Sequence, residues 1–215
     1  MNQRTKQLTT VAMLCAMSYA VMVIGRIPIV LFLKYEPKDV LITIGGFLFG
    51  PLCSFVISLV VSLVEMVTVS DTGIIGCVMN LISSCAFACS AAVIYKKKHT
   101  LSGAVWGLLV GCLAMTAVML LWNYLITPLY MGMPRQAVAE LLLPAFLPFN
   151  LLKGGLNMAI TLLLYKPVVK ALRKTKLVEE SAGTAAGNKK IGIWLVAVLL
   201  LATCVLAAMA WKGLL

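Results

Sequence analysis

Residues 143–165 read LPAFLPFNLLKGGLNMAITLLLY, an almost wholly apolar stretch that nevertheless carries Asn150, Lys153 and Asn157. Spacings of three and four put these side chains on one helical face. A lysine at mid-bilayer costs on the order of 2.5–3.5 kcal/mol on insertion scales, and such residues usually face a cavity or a partner. Carboxamides beside an ammonium offer both donors and acceptors, a set that suits the edge of a polar heterocycle better than an ion. Gly154 and Gly155 would let a backbone or a flat ligand approach closely. The competing reading of Lys153 is snorkelling: it lies about five residues, roughly 8 Å of helical rise, beyond Pro148, and its long side chain could reach the interface.

Asn123 gives the same signal one segment earlier, in LLWNYLITPLY, flanked by Trp122 and Tyr124 and followed by Tyr130 beyond Pro128. If the two segments are antiparallel neighbours, Asn123 and Asn150 sit at similar depth. Aromatic rings near amides fit a planar ligand stacked on its faces and gripped at its edges, although each ring taken alone is more often an interfacial belt residue. The segment KYEPKD (34–39) completes the candidate set with Tyr35, Glu36 and Asp39. Its acids read either as solvated loop charges or as part of a cap, one of them pairing Lys153 or bonding ligand hydroxyls. Glu65 and Asp71, near the outer end of the third span where charge is cheap, carry no assigned role, and Arg26 is expected to snorkel.

Other chemistries find no support. No GxxxxGK[ST] loop is present to cradle nucleotide phosphates, and GNKKIG (187–192) lacks the spacing. The single histidine, His99, follows a lysine run, so no nucleophile has a base and an orienting acid; the chain is not expected to be an enzyme. The seven cysteines lie in apolar segments without a CxxC pair. Cys85 and Cys89 share a helical face, but two thiols make a poor metal site, and no metal or other cofactor is expected. Small residues filling helix contacts is the simpler reading of the cysteines.

The elements that must position the polar set follow from composition. Of 215 residues, 62% are hydrophobic and 12% charged, with mean hydropathy +1.03, where a soluble domain is about half apolar and a quarter charged. Such a chain needs a bilayer as its solvent. At roughly 20 residues per span, six or seven helices fit. The spans are expected at 8–33, 40–50, 52–69, 74–95, 101–126, 141–165 and 191–211. The second is too short to cross upright and should tilt or re-enter, and GGFLFG (45–50) offers faces for close helix approach.

The net charge of +11 is a topology signal rather than a nucleic-acid one. About a dozen Lys and Arg fall on the side of the N-terminus, Lys96–Lys98 and KALRKTK, against about four on the other, so the former side is cytoplasmic by the positive-inside rule. The apolar stretch from Leu8 to beyond Val23 exceeds a signal-peptide core and reads as a retained helix. Three regions are expected: a six-helix membrane domain at 1–177, a flexible cytoplasmic linker at 178–190, and an additional C-terminal transmembrane helix within 191–215 that would return the C-terminus to the outside.

On the first helix, Ala12, Ala16 and Ala20 form a small-residue stripe. It can pack within the chain or dock a separate membrane protein.

NYLITPLYMG (123–132) followed by LLLPAFLPFNLLKGGLN (141–157) resembles the riboflavin-specific substrate-binding subunit, or S component, of energy-coupling-factor (ECF) vitamin transporters. FLKYEPKDV…GGFLFGP (32–51) and the alanine stripe are similar to it as well. The resemblance covers roughly residues 8–175 and implies a six-helix all-α bundle that binds riboflavin from outside, as transported substrate rather than cofactor, with flavin mononucleotide (FMN) left open. It implies that Asn123, Asn150 and Lys153 contact the isoalloxazine ring and that Ala12 and Ala16 pack on a transmembrane coupling subunit, with two cytoplasmic ATPases supplying energy. The linker and seventh helix depart from the six-helix pattern. An alternative of the same class is an S component for another vitamin, such as thiamine or biotin; from a different class, a membrane enzyme or a structural scaffold. A charged thiamine would favour acids over the amides and lysine seen here.

Overall fold

A computed structural model describes residues 2–30, 33–70 and 72–174 and, nearer the C-terminus, 197–198, 200–205, 207 and 209. The expected linker at 178–190 and Asp71 lie outside the described residues, as does much of the expected seventh span; those of its residues that are described are helical.

Seven helices are formed among the described residues: α1 (Gln3–Ile24), α2 (Lys38–Phe49), α3 (Pro51–Thr68), α4 (Gly73–Lys97), α5 (Leu101–Met131), α6 (Arg135–Leu141) and α7 (Leu147–Lys174). Strands β1 (Ile27–Val30) and β2 (Leu33–Tyr35) make an antiparallel hairpin between α1 and α2. Among the described residues, five helical segments are long and apolar enough to cross a membrane: α1, α3, α4, α5 and the run from Arg135 to Leu172. The architecture is an all-α multi-pass membrane bundle, as expected.

The first span is shorter than the sequence reading placed it. α1 ends at Ile24, not near 33, and the chain turns into the hairpin. Pro28 has no N–H to give a helix and disfavours the helical region for Ile27, while Ile27, Ile29 and Val30 are β-branched. Hydropathy alone cannot see this change of period.

α2 spans 12 residues, about 18 Å at 1.5 Å per residue, well short of a bilayer core of about 30 Å. It survives because it is surrounded: α1, α3, α4 and α7 pack around it, and the ten residues from Lys38 to Phe47 are all buried. Gly45 and Gly46 permit this, since a Cβ on Gly46 would lie 2.9 Å from the Ala92 Cβ and one on Gly45 would lie 2.5 Å from Ile57. Gly50, at φ 94°, makes the corner into α3, whose first residue is Pro51.

α4 and α5 pack still more closely. A Cβ on Gly107 would sit 2.7 Å from the Ala91 carbonyl oxygen, and one on Gly111 would sit 2.5 Å from that of Phe87. Glycines at 103, 107 and 111 thus form a small-residue face. The main apolar core has Leu14, Ile57, Phe87, Leu108 and Met115 fully buried.

Helix α5 runs through Pro128 to Met131, past the expected end at 126, and stops at Gly132 in the left-handed region, φ 63°. Residues 135–140, which fall between two expected spans, form α6 together with Leu141; a wider turn at Leu142–Phe146, carrying Pro144, then leads into α7. A proline lacks the N–H that a regular helical turn would use.

Candidate functional site

Two polar systems meet beneath the hairpin. The first is carried by α5 and α7, each presenting an asparagine on its buried face. Asn123 donates to the Met119 carbonyl at 2.7 Å and accepts from the Thr127 hydroxyl at 3.0 Å. Asn150 donates to the Phe146 carbonyl at 2.7 Å. A carboxamide has two N–H donors and an acceptor oxygen with two lone pairs, so these bonds fix each amide's orientation and leave bonding capacity toward the space between the helices.

Lys153 is buried, at 6% exposure, and its ammonium donates to the Ser83 hydroxyl on α4 at 3.2 Å. The Asp39 carboxylate at the start of α2 stands 3.6 Å away. The snorkelling alternative is therefore set aside: the side chain turns into the bundle. Asp39 is wholly buried. It accepts from Ser84 at 2.5 Å and from Asn157 at 3.1 Å, and Asn157 in turn accepts from the Tyr35 hydroxyl at 3.1 Å. Three helices and the hairpin are thereby tied to the lysine.

The second system pins the hairpin. Arg26, just past α1, donates through Nε to Glu36 at 2.7 Å, through Nη2 to Glu65 at 2.5 Å and through Nη1 to the Val69 carbonyl at 2.9 Å. Lys38 bridges the same two carboxylates, 2.7 Å from Glu36 and in a very short contact with Glu65. Asn80 on α4 adds a bond to Glu65 at 2.9 Å. Two cations and two anions, all largely buried, compensate one another; removing one member of such a set costs about 3–5 kcal/mol. Burial opposes ionisation of Glu36, but Lys38, Lys153 and Arg26 outweigh it and hold its carboxyl down at about 2.

Between the two systems lies a cavity whose walls include Glu36, Asn123, Asn150 and Lys153, with Met79, Met119, Phe149 and Leu33 supplying apolar surface. Its free volume is about 60 Å³, well below the roughly 300 Å³ at which ligand pockets begin. A drug-sized guest needs the hairpin and its side chains to give way. A smaller cavity lined by Trp122 and Tyr130 adjoins it, sharing Thr72 and Met79. Of the expected candidates, then, Glu36, Asn123, Asn150 and Lys153 line one cavity and Tyr130 its neighbour. Tyr35, Asp39 and Asn157 stand behind Lys153 as its supports. Tyr124 is exposed.

Several readings of the charges are corrected here. Of the two readings of the KYEPKD acids the structure takes the second, with Glu36 and Asp39 buried and Asp39 facing Lys153, whereas Arg26 does not snorkel but joins two carboxylates. Glu65, given no role, is 2% exposed and lies at the centre of the second system. A signal for it existed: Glu65 is an acid inside an otherwise apolar helix, four residues after Val61 on the buried face. Asn80, Ser83 and Ser84 were missed as well; their spacing of three and four places them together on α4.

At the other side of the molecule, Ala12, Ala16 and Ala20 are exposed, while Thr10, Leu14, Ser18 and Met22 face the bundle. Positions two apart are about 200° apart around a helix, so the alanine stripe points away from the chain's own core. Packing inside the chain is not its use.

The comparisons agree with this architecture. The family model for the ECF transporter, substrate-specific component, matches residues 6–165. Riboflavin transporter RibU of Staphylococcus aureus (strain TCH60) is 27% identical over 182 residues, which cover 80% of this chain and 95% of that protein. Riboflavin transporter FmnP of Bacillus subtilis (strain 168) is 28% identical over 164 residues, covering 70% and 85%. A solved structure of the S component of a bacterial ECF transporter superposes with a TM-score of 0.67 at 27% identity, covering 79% of this chain and 99% of that one. With the family match running over most of its length and the same bundle in a solved S component, this chain belongs to the substrate-specific components of ECF transporters.

Proposed function

We propose that this protein captures riboflavin on the outer side of the cell membrane and delivers it inward as the specificity subunit of an ATP-driven ECF complex. The observation that carries the reading is the convergence of Asn123, Asn150 and Lys153 on one cavity. Riboflavin's pyrimidine edge presents carbonyl, N–H and carbonyl in a row, which two carboxamides and an ammonium can match. Met79, Met119 and Phe149 offer flat apolar contact to the rings, and the charged rim of Arg26, Glu36 and Glu65 offers partners for a polyol chain. Left unpaired in a dry cavity, each such group costs about 1–3 kcal/mol; this discriminates against solutes that lack the pattern. Two relatives named as riboflavin transporters support the choice of vitamin.

The exposed alanine stripe on α1 is the surface for a transmembrane coupling subunit, and two cytoplasmic ATPases supply the energy this chain has no nucleotide site to provide. The lysine-rich end at Lys96–Lys98 faces the cytoplasm and the hairpin faces outside. Riboflavin is cargo, not a cofactor.

The test is direct. Protein purified from flavin-containing cells should be yellow, with a flavin spectrum lost in Asn150→Ala. Colourless protein that takes up no added riboflavin, and whose behaviour Asn150→Ala leaves unchanged, would refute the reading.

A further inference from the structure

Beyond α7 the chain continues past the family match, and the described residues there, Ala197, Val198, Leu200–Val205, Ala207 and Met209, are helical. One face of this segment turns inward. Ala197 is fully buried, and Leu200 packs against the main core. Leu201 and Cys204 pack against the cluster of Tyr35, Leu152 and Leu156. Residues 197, 200, 201 and 204 recur at helical spacing, so this is a continuous seam rather than a chance touch.

The direction of the segment is also fixed. The Cys204 sulfur lies 2.8 Å from where a Cβ on Gly155 would be, and Ala207 shares a surface recess with Pro144, Pro148 and Leu152. The segment therefore runs antiparallel to α7, with Cys204 seated against Gly155.

The contact is with the back of the binding site. Tyr35, on which Leu201 and Cys204 rest, donates to Asn157; Asn157 donates to Asp39; and Asp39 faces Lys153 at 3.6 Å. The same seam covers Leu152, the residue before Lys153. Removing the segment would free β2 on one side and α7 on the other, both of which hold the lysine.

We propose that this C-terminal helix is a brace for the binding site, clamping the hairpin against α7 through Tyr35 and Gly155 and slowing the release of ligand. The ligand readout rests on the riboflavin reading; the brace itself does not.

The test uses the full-length chain with Gly155→Cys. A disulfide places each Cβ about 3 Å from the partner sulfur, given an S–S bond of about 2.0 Å, so mild oxidation should link residue 155 to Cys204. A control carrying Cys204→Ser as well should not link. Riboflavin release should slow at least fivefold on oxidation and recover on reduction. In an uncross-linked chain, Leu201→Ala should speed release severalfold with flavin stoichiometry unchanged. Failure of the link to form, a link with no change in release, or an unaltered rate in Leu201→Ala would each overturn the brace. Should the unmodified protein bind no riboflavin, that reading fails by itself. The brace is then judged by hydrogen exchange of residues 33–39, which slows on cross-linking if it is right and is unaltered if it is wrong.

Discussion

Replacing Lys153 by methionine removes one charge while keeping a long, unbranched side chain, and the structure assigns separate consequences to stability and to binding. In the folded protein Lys153 is the cation nearest Asp39, at 3.6 Å. Without it Asp39, wholly buried, keeps bonds from Ser84 and Asn157 but loses its neutralising partner. Breaking a buried pair costs about 3–5 kcal/mol, and the two remaining bonds place this case near the lower figure, about 3 kcal/mol. For a chain of this size that is a fall in Tm of roughly 6–12 °C.

Binding loses something different: a hydrogen bond from a charged donor, about 1.5–3 kcal/mol, which is a rise in Kd of roughly 10- to 150-fold. Adding Asp39→Asn separates the two. The double variant has no orphaned carboxylate, so its Tm should return most of the way to wild type while its affinity stays low. The assay is quenching of flavin fluorescence in detergent, run beside thermal unfolding of the same preparations. Full affinity in Lys153→Met would show that the lysine serves only as the counter-ion of Asp39. Affinity that returns together with Tm in the double variant would show that the loss came from folding, and the assignment of Lys153 to the ligand would be refuted.

Other expectations follow from the same geometry. Glu65→Gln leaves Arg26 and Lys38 sharing one carboxylate, so it should destabilise the protein by about 3–5 kcal/mol, with Glu65→Gln/Lys38→Met recovering part of this; thermal unfolding reads both. Glu36, held down at about 2 in the folded protein against an ordinary value of 4.5, contributes stability that is complete above about pH 4.5 and is lost as pH falls toward 2. Tm measured in steps from pH 6 to pH 3 should therefore hold and then drop, and the drop should shrink in Glu36→Gln. Ala16→Trp, on the exposed face of α1, should leave riboflavin affinity and Tm unchanged while abolishing co-purification with coupling subunits and riboflavin uptake by cells.

Much of the site could be read from sequence because a bilayer makes polarity expensive. Asn123, Asn150 and Lys153 stand out in apolar segments, and helical spacing alone puts the last two on one face. The alanine stripe was visible through its spacing of four, and its exposure removes one of the two uses open to it, packing within the chain. What could not be read is who pairs with whom across the fold. Arg26 and Glu65 are 39 residues apart, and no periodicity links them; each looked like an isolated charge near an interface. The two roles open to Glu36 and Asp39 could not be separated because KYEPKD has a loop's composition, whereas Ser84 of α4 and Asn157 and Lys153 of α7 enclose Asp39 at the head of α2. The hairpin was hidden because Ile27–Val30 is as apolar as the helix before it, and only Pro28 announces the change. The face of Gly103, Gly107 and Gly111, which lets α5 press against α4, follows a spacing that was legible but was not singled out.

The most direct measurement is a riboflavin titration of the purified wild-type chain beside Asn123→Ala, Asn150→Ala and Lys153→Met. Tight one-to-one binding by wild type, weakened at least tenfold in each variant, is the predicted result. Absence of binding by the wild type, or equal affinity in all four proteins, would contradict the claim that these three side chains hold one flavin ring.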